Sequence, residues 1–229
     1  MKKILLASLM ASVFQFAPVA VESAAACDTC FKKEKGDLML RLRGIGFIPD
    51  ESTSNDPTVG GEANASNEYV PEIDLTYFIT DKWALELIAA TTNHEMTLEK
   101  SVLVNNVDMG EVGVLPPVLT LQYHFDGVDL GNKTKLLPYV GAGLNYTMFY
   151  NEEAPGAGNT VTNIDYENSV GYAFQIGVDI PKDDKWFFNL DVKKVFVDTT
   201  VKYTVGGTEY KADVDLDPWV FGIGFGYKF

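Results

Sequence analysis

The chain has 229 residues, 46% hydrophobic and 22% charged, with 32 acidic against 18 basic residues and a formal net charge of −14. That balance argues against nucleic acid, which needs basic patches. A mean hydropathy near zero excludes a bundle of membrane helices but not a barrel, because alternating strands average out.

Residues 1–26 read as a secretory signal peptide. Lys2 and Lys3 give the positive start, Ile4 to Val21 is mostly apolar, and Ala24-Ala25-Ala26 offers a small-residue cleavage site. Gln15 and Pro18 interrupt the run, against a permanent membrane helix. Residues 27–36 form a short periplasmic N-terminal tail that carries Cys27-Asp-Thr-Cys30. With no second C-x-x-C and no histidine nearby, this pair reads as a local disulfide or two incidental thiols, ahead of a redox or zinc site. Lipidation of Cys27 is a rival reading. It is weakened because Ala24–Ala26 lacks the large aliphatic residue such processing uses.

Residues 37–229 carry eight strand candidates with turn signals between them and no convincing amphipathic helix. In chain order they are Asp37–Ile48, Glu68–Ile79, Trp83–Met96, Val118–Phe125, Leu136–Tyr150, Ser169–Ile180, Trp186–Tyr203 and Glu209–Phe229. An even count suits an antiparallel barrel. Thr80-Asp81-Lys82 and Pro181–Lys185 are tight turns, and Asp126–Lys135 is intermediate. Pro49–Asn67, Thr97–Pro117 and Asn151–Asn168 are long and rich in Gly, Asn, Asp, Glu and Pro. The Gly206-Gly207 turn is short, but its long flanking strands should stand above the membrane. Short turns on one rim and long loops on the other match outer-membrane barrels.

Phase can be followed along the strands, since neighbouring side chains point to opposite sides. The closing strand sets Trp219, Phe221, Ile223, Phe225, Tyr227 and Phe229 against Pro218, Val220, Gly222, Gly224, Gly226 and Lys228. The fourth sets Leu119, Leu121, Tyr123 and Phe125 against Val118, Thr120, Gln122 and His124. The sixth sets Val170, Tyr172, Phe174, Ile176, Val178 and Ile180 against Gly171, Ala173, Gln175, Gly177 and Asp179. A soluble barrel of lipocalin type would bury the large apolar set and leave glycine on a solvated outer face. Glycine suits a cramped lumen better, so the bulky face is assigned to lipid. The fold expected is all-β: an eight-stranded antiparallel transmembrane up-and-down β-barrel with long extracellular loops. Trp83, Trp186, Trp219, Tyr227 and Phe229 fall where interfacial aromatic belts would lie.

The interior then collects charge. Arg41 and Arg43 share one face of the first strand, Glu72 and Asp74 one face of the second, and Glu86 is inward on the third. Cross-strand pairing makes these, with His124, a polar lumen network. Asp191, Lys193 and Lys228 extend the set. Lys194 falls in the lipid-facing register, but about eight residues above Trp186, near the far interface, where a lysine costs little.

Several segments have particular wording. They are Thr80-Asp-Lys-Trp-Ala-Leu-Glu-Leu-Ile-Ala-Ala-Thr, Leu115-Pro-Pro, Leu119-Thr-Leu-Gln-Tyr-His-Phe125, Pro138-Tyr-Val-Gly-Ala-Gly-Leu-Asn-Tyr146, Gln175-Ile-Gly-Val-Asp179, and Asp215-Leu-Asp-Pro-Trp to Phe229. In these the chain resembles the OmpW family of small outer-membrane barrels, over nearly all of the mature sequence. The resemblance implies a monomeric eight-stranded barrel that lets small hydrophobic molecules cross the polar outer surface of the outer membrane, in contact with lipid and lipopolysaccharide. The C-terminal strand is the segment expected to engage the barrel-assembly machinery. Eight strands leave no room for a wide aqueous pore, and a charged interior would stop an apolar solute at mid-membrane. Such a solute would enter from the loop side and leave sideways. Pro116 and Pro117 remove ladder donors and are candidates for a lateral gate, or simply end pairing at the rim. Met96, Val112, Val114, Leu115 and Phe149, near the outer end, are candidates for an apolar vestibule.

Two other function classes compete. The long acidic loops 49–67 and 151–168 could make the protein a surface-interaction barrel for host, phage or bacteriocin partners. An outer-membrane enzyme is disfavoured: the chain has only His94 and His124, no serine lies in a nucleophile motif, and paired carboxylates occur only beside the interior arginines. No Gly-rich phosphate loop and no metal-spaced Cys/His set occurs, so no cofactor and no metal is expected.

Overall fold

The computed structural model describes residues 31–48, 50, 52–54, 62–65, 67–99, 107–131, 134–153 and 161–229. The signal segment, Cys27 and Cys30, and much of the acidic loops 49–67 and 151–168 lie outside those residues. Eight strands form the barrel: β1 (Leu38–Ile48), β2 (Glu68–Phe78), β3 (Trp83–Ala90), β4 (Val118–His124), β5 (Lys135–Glu153), β6 (Ser169–Pro181), β7 (Trp186–Val195) and β8 (Trp219–Lys228). Each pairs antiparallel with its chain neighbours, except that β8 returns to β1, so the sheet closes on itself. Closure removes sheet edges, the condition for strands to cross hydrocarbon with every backbone group paired. No helix occurs among the described residues.

The period-two pattern decides which way the sheet faces. Leu42, Ile73, Leu87, Leu119, Leu144, Phe174, Ile176, Phe188 and Ile223 are all exposed on the outside, whereas Arg41, Arg43, Asp74, Glu86, Gln122 and Asn189 are buried. An apolar surface this continuous is untenable in water and fits acyl chains. Inside, large side chains from one strand fill space that glycine leaves on the next. A Cβ on Gly226 would sit 2.2 Å from the Phe187 ring, and one on Gly177 2.3 Å from the Tyr139 ring. The inward glycines are therefore a steric requirement of the filled lumen.

Aromatic contacts ring the turn end. Trp83 meets Tyr123 at 5.0 Å, Trp186 meets Tyr227 at 4.9 Å, and Tyr227 meets Phe229 at 5.0 Å. Trp219 marks the opposite end, with the Lys194 ammonium 5.2 Å from its ring. Lys194 also bonds the Asp217 carbonyl and lies 3.4 Å from Asp50, a partnered cation at the outer interface.

Three expected strands do not run as single elements. The third breaks at Thr91 and resumes as Thr92–Glu99, the seventh breaks at Phe196–Val197 and resumes as Asp198–Val205, and the eighth divides into Thr208–Asp215 and Trp219–Lys228. The reason at the last site is local: Pro218 has no N–H to donate, and Asp217 has a positive φ of 25°. The segments expected as loops also contain strands. Thr92–Glu99 pairs with Val107–Leu115, and Glu62–Ala65 adds to that hairpin. Val161–Tyr166 and Ser52–Ser54 flank the Asp198–Val205/Thr208–Asp215 hairpin. The barrel wall is thus extended past the membrane by two small sheets.

Candidate functional site

Inside the barrel, side chains stack in layers from the turn end upward. The lowest is apolar: Phe31, Met39, Phe78, Ala84, Leu137 and Phe187 form one buried cluster. Phe31 belongs to the N-terminal tail, whose Gly36 N–H donates to the Phe78 carbonyl at 2.8 Å, and its ring meets Phe187 at 5.3 Å. Behind it Lys33 reaches inward, donating to Asp179 at 2.6 Å and to His124 Nδ1 at 2.8 Å. His124 Nε2 then donates to Gln122 Oε1 at 3.0 Å. The tail is a stopper seated in the turn-end mouth.

Burial lowers the Lys33 ammonium to about 8, against the pull of Asp179 and with help from Arg41. An undocked lysine stays near 10.5, so seating the tail releases a proton between those two values. Docking is therefore weakest below pH 8 and strengthens as pH rises through that window. A fluorine label on the Phe31 ring should report more docked tail at about pH 9.5 than at about pH 7.5. An unchanged docked fraction would contradict the burial of Lys33.

The middle layer is ionic. Cross-strand register sets Arg41 opposite Asp74 and Arg43 opposite Glu72, while on the other side both arginines face glycines, Gly226 and Gly224. Their guanidinium groups can therefore fan across the lumen. Arg41 meets Asp74 at 3.0 Å, Glu86 at 2.8 Å and Asp179 at 3.3 Å. Arg43 meets Glu72 at 2.7 Å and Asp74 at 2.8 Å. Lys193 holds Asp191 at 2.6 Å and Glu72 at 3.0 Å. Amides complete the layer, with Gln122 donating to Glu86 at 2.7 Å, Gln175 to Asp191 at 2.8 Å and Asn189 to Asp179 at 2.8 Å. Removing one member of such a network leaves a buried charge uncompensated. Neither a water column nor an apolar molecule can pass without dismantling it.

Above the ions the interior turns apolar. The same inward register that carries Arg43, Glu86, Thr120, Lys193 and Gly222 continues upward as Ile45, Ile88, Val118, Val195 and Val220, all buried. They line an apolar cavity in the upper lumen. Its upper wall comes from the outer sheets and the top of β5, through Val112, Val114, Tyr166 and Phe149. Glu72 and Lys193 form its floor.

The structure brings together Arg41, Arg43, Glu72, Asp74 and Glu86, with His124 at the lower edge beside Lys33. Asp191 and Lys193 join them, while Lys228 stays nearer the rim and pairs with Asp37 at 3.4 Å. Of the vestibule candidates, Val112, Val114, Pro116 and Phe149 line the cavity. Leu115 and Pro117 are half-buried on the alternate face. Met96 pairs through its backbone with Ala65, but its side chain and that of His94 lie outside the described residues. In the sequence the aliphatic collar from Ile45 to Val220 is masked by the charges that precede it on the same strand faces. The usable signal was the change from charged to aliphatic along each inward register. Lys33 gave no such signal, since nothing local shows that the tail turns inward.

The wall beside the cavity has a gap. Pairing of β3 with β4 stops at Ile88 opposite Val118, and resumes only where Thr92 meets Val114. Ala89 to Thr91 thus face Leu115, Pro116 and Pro117 without a ladder, and neither proline has a donor. Outside this point stand the exposed Leu87, Leu119 and Leu144.

An apolar-skinned, closed eight-stranded cylinder with an ionic plug and an apolar upper cavity is an outer-membrane β-barrel of the small, pore-less kind. The chain belongs to the OmpW family, whose sequence profile matches residues 34–229. Outer membrane protein W of Vibrio cholerae serotype O1 is 32% identical over 214 residues, covering 92% of this chain and 97% of that one. The crystal structure of OprG from Pseudomonas aeruginosa superposes with a TM-score of 0.76 at 29% identity, covering 86% of this chain and 98% of the other. A protein of Pseudomonas aeruginosa named "Dibenzothiophene metabolism operon protein PahQ" is 28% identical over 170 residues, 74% of this chain and 76% of that one. The protein is thus located in the outer membrane.

Proposed function

We propose that this barrel gives small hydrophobic molecules a path across the polar outer surface of the outer membrane, through the upper cavity and out sideways into the bilayer. The observation that carries the reading is the pairing of an apolar cavity with a sealed ionic floor. A molecule that enters from the loop end is desolvated by the Ile45–Val220 collar, at about 25 cal/mol per Å² of apolar surface removed from water. It cannot continue downward through Arg41, Arg43 and their carboxylates. The gap between Ala89–Thr91 and Leu115–Pro117 is the nearby exit, and it opens toward acyl chains. The relative named for a dibenzothiophene metabolism operon is in keeping with apolar cargo.

Rebuilding the ladder should close that exit. Pro116→Val returns one donor to this gap, worth about 0.5–1.5 kcal/mol once paired; the Pro117 backbone faces β5 instead, where its carbonyl accepts from the Tyr146 N–H at 3.1 Å. We expect cellular uptake of a hydrophobic aromatic to fall several-fold, while the barrel keeps its heat-resistant mobility on gels. Unchanged uptake in a fully folded variant would exclude this wall segment as the exit.

A further inference from the structure

Deepening the proposed passage function and resting on it, we infer that the cavity selects apolar molecules that end in a neutral hydroxyl, seated head-down on Glu72 and Lys193. Those two side chains are the charged groups that line a chamber otherwise walled by aliphatic and aromatic side chains and by Thr92 and Thr147, and they are only 3% and 2% exposed.

Their bonding is unfinished on the cavity side. An ammonium has three donors. Lys193 uses one on Asp191 at 2.6 Å and one on Glu72 Oε1 at 3.0 Å, and no third partner occurs among the described residues. Glu72 spends the same oxygen, Oε1, on both Lys193 and Arg43, the latter at 2.7 Å. Its Oε2 has no partner among the described residues. The floor thus offers one spare donor beside one spare acceptor, on two side chains already joined by a hydrogen bond. A hydroxyl is the small group that accepts from the first and donates to the second.

The charges around the floor set the rest of the selectivity. Lys193 already has two carboxylates within 3.0 Å, so a carboxylate head would crowd a third anion around one buried ammonium. The whole buried set holds four cations, Lys33, Arg41, Arg43 and Lys193, against Glu72, Asp74, Glu86, Asp179 and Asp191. An added anion deepens that imbalance in a low-dielectric site. A plain alkane fits the walls but leaves the spare donor and acceptor dry and unpaired, a loss for buried polar groups.

The test is a titration of the whole protein in amphipol with 1-octanol, n-octane and octanoate, read by the methyl NMR signals of Ile45, Ile88 and Val195. We expect 1-octanol to bind roughly tenfold more tightly than n-octane, the size of one hydrogen bond to a charged group, and octanoate to bind weakest. In Glu72→Gln with Lys193→Met, which removes one charge of each sign, 1-octanol should lose that advantage while n-octane affinity holds. Equal binding of 1-octanol and n-octane in the natural protein, or tighter binding of octanoate, would overturn the head-group selection even if the double variant failed to fold. If none of the three shifts these methyls, the cavity is no solute site, and the passage function falls with it.

Discussion

Replacement of Arg41 by methionine should lower the unfolding free energy of the barrel by about 3–5 kcal/mol, the cost of breaking a buried ion network from one side. Arg41 bonds Asp74, Glu86 and Thr76 through a single nitrogen, at 3.0, 2.8 and 2.7 Å, and reaches Asp179 with the other. Methionine fills much of the volume but leaves those carboxylates facing one another in a dry lumen. Lysine keeps the charge but cannot fork between acids on β2, β3 and β6, so Arg41→Lys should recover only part of the loss. Adding Glu86→Gln to Arg41→Met removes one stranded anion and should recover part as well. Urea unfolding of protein refolded into lipid vesicles measures all three. A loss below about 1 kcal/mol for Arg41→Met would show that the interior is wet enough to screen these groups.

How much of this was legible in the sequence depends on the range of the signal. Face assignment is local, and every strand that alternates in sequence alternates in space: Phe174 and Ile176 lie outside, Gln175 and Asp179 inside. The charge clusters on β1, β2 and β3 were legible for the same reason, because once the phase is known only register remains. Register made Arg41 meet Asp74 and Arg43 meet Glu72. What stayed hidden is non-local. Lys33 finds Asp179 across 146 positions of sequence, and nothing near Lys33 announces that it turns into the barrel. The bends at Thr91 and Asp217 were hidden too, because inward phase continues across them. Val195, Val197, Thr199, Val201 and Tyr203 are all buried, so the pattern reads as one long strand. Only the change of partner strand, a tertiary property, divides it.

The assignment of the outer face to lipid can be tested by depth on a single strand. Ile176 and Val170 both point outward from β6 and are 57% and 71% exposed. Ile176 lies five residues above Pro181, which at ~3.3 Å per residue and a tilt of ~45° places it about 12 Å up a band about 25 Å tall. Val170 lies about 26 Å up by the same geometry, at the outer interface. Ile176→Arg should therefore cost about 2–4 kcal/mol in vesicles, and Val170→Arg about 0–1 kcal/mol. The difference does not arise from packing, since both side chains are exposed and both substitutions add the same charge. It arises from the solvent that the side chain meets: hydrocarbon at the middle of the strand, headgroups and water at its end. In a soluble barrel both arginines would stand in water and cost alike. Equal costs at the two positions would therefore remove the bilayer from the account of this fold, and with it the reason for a lateral exit.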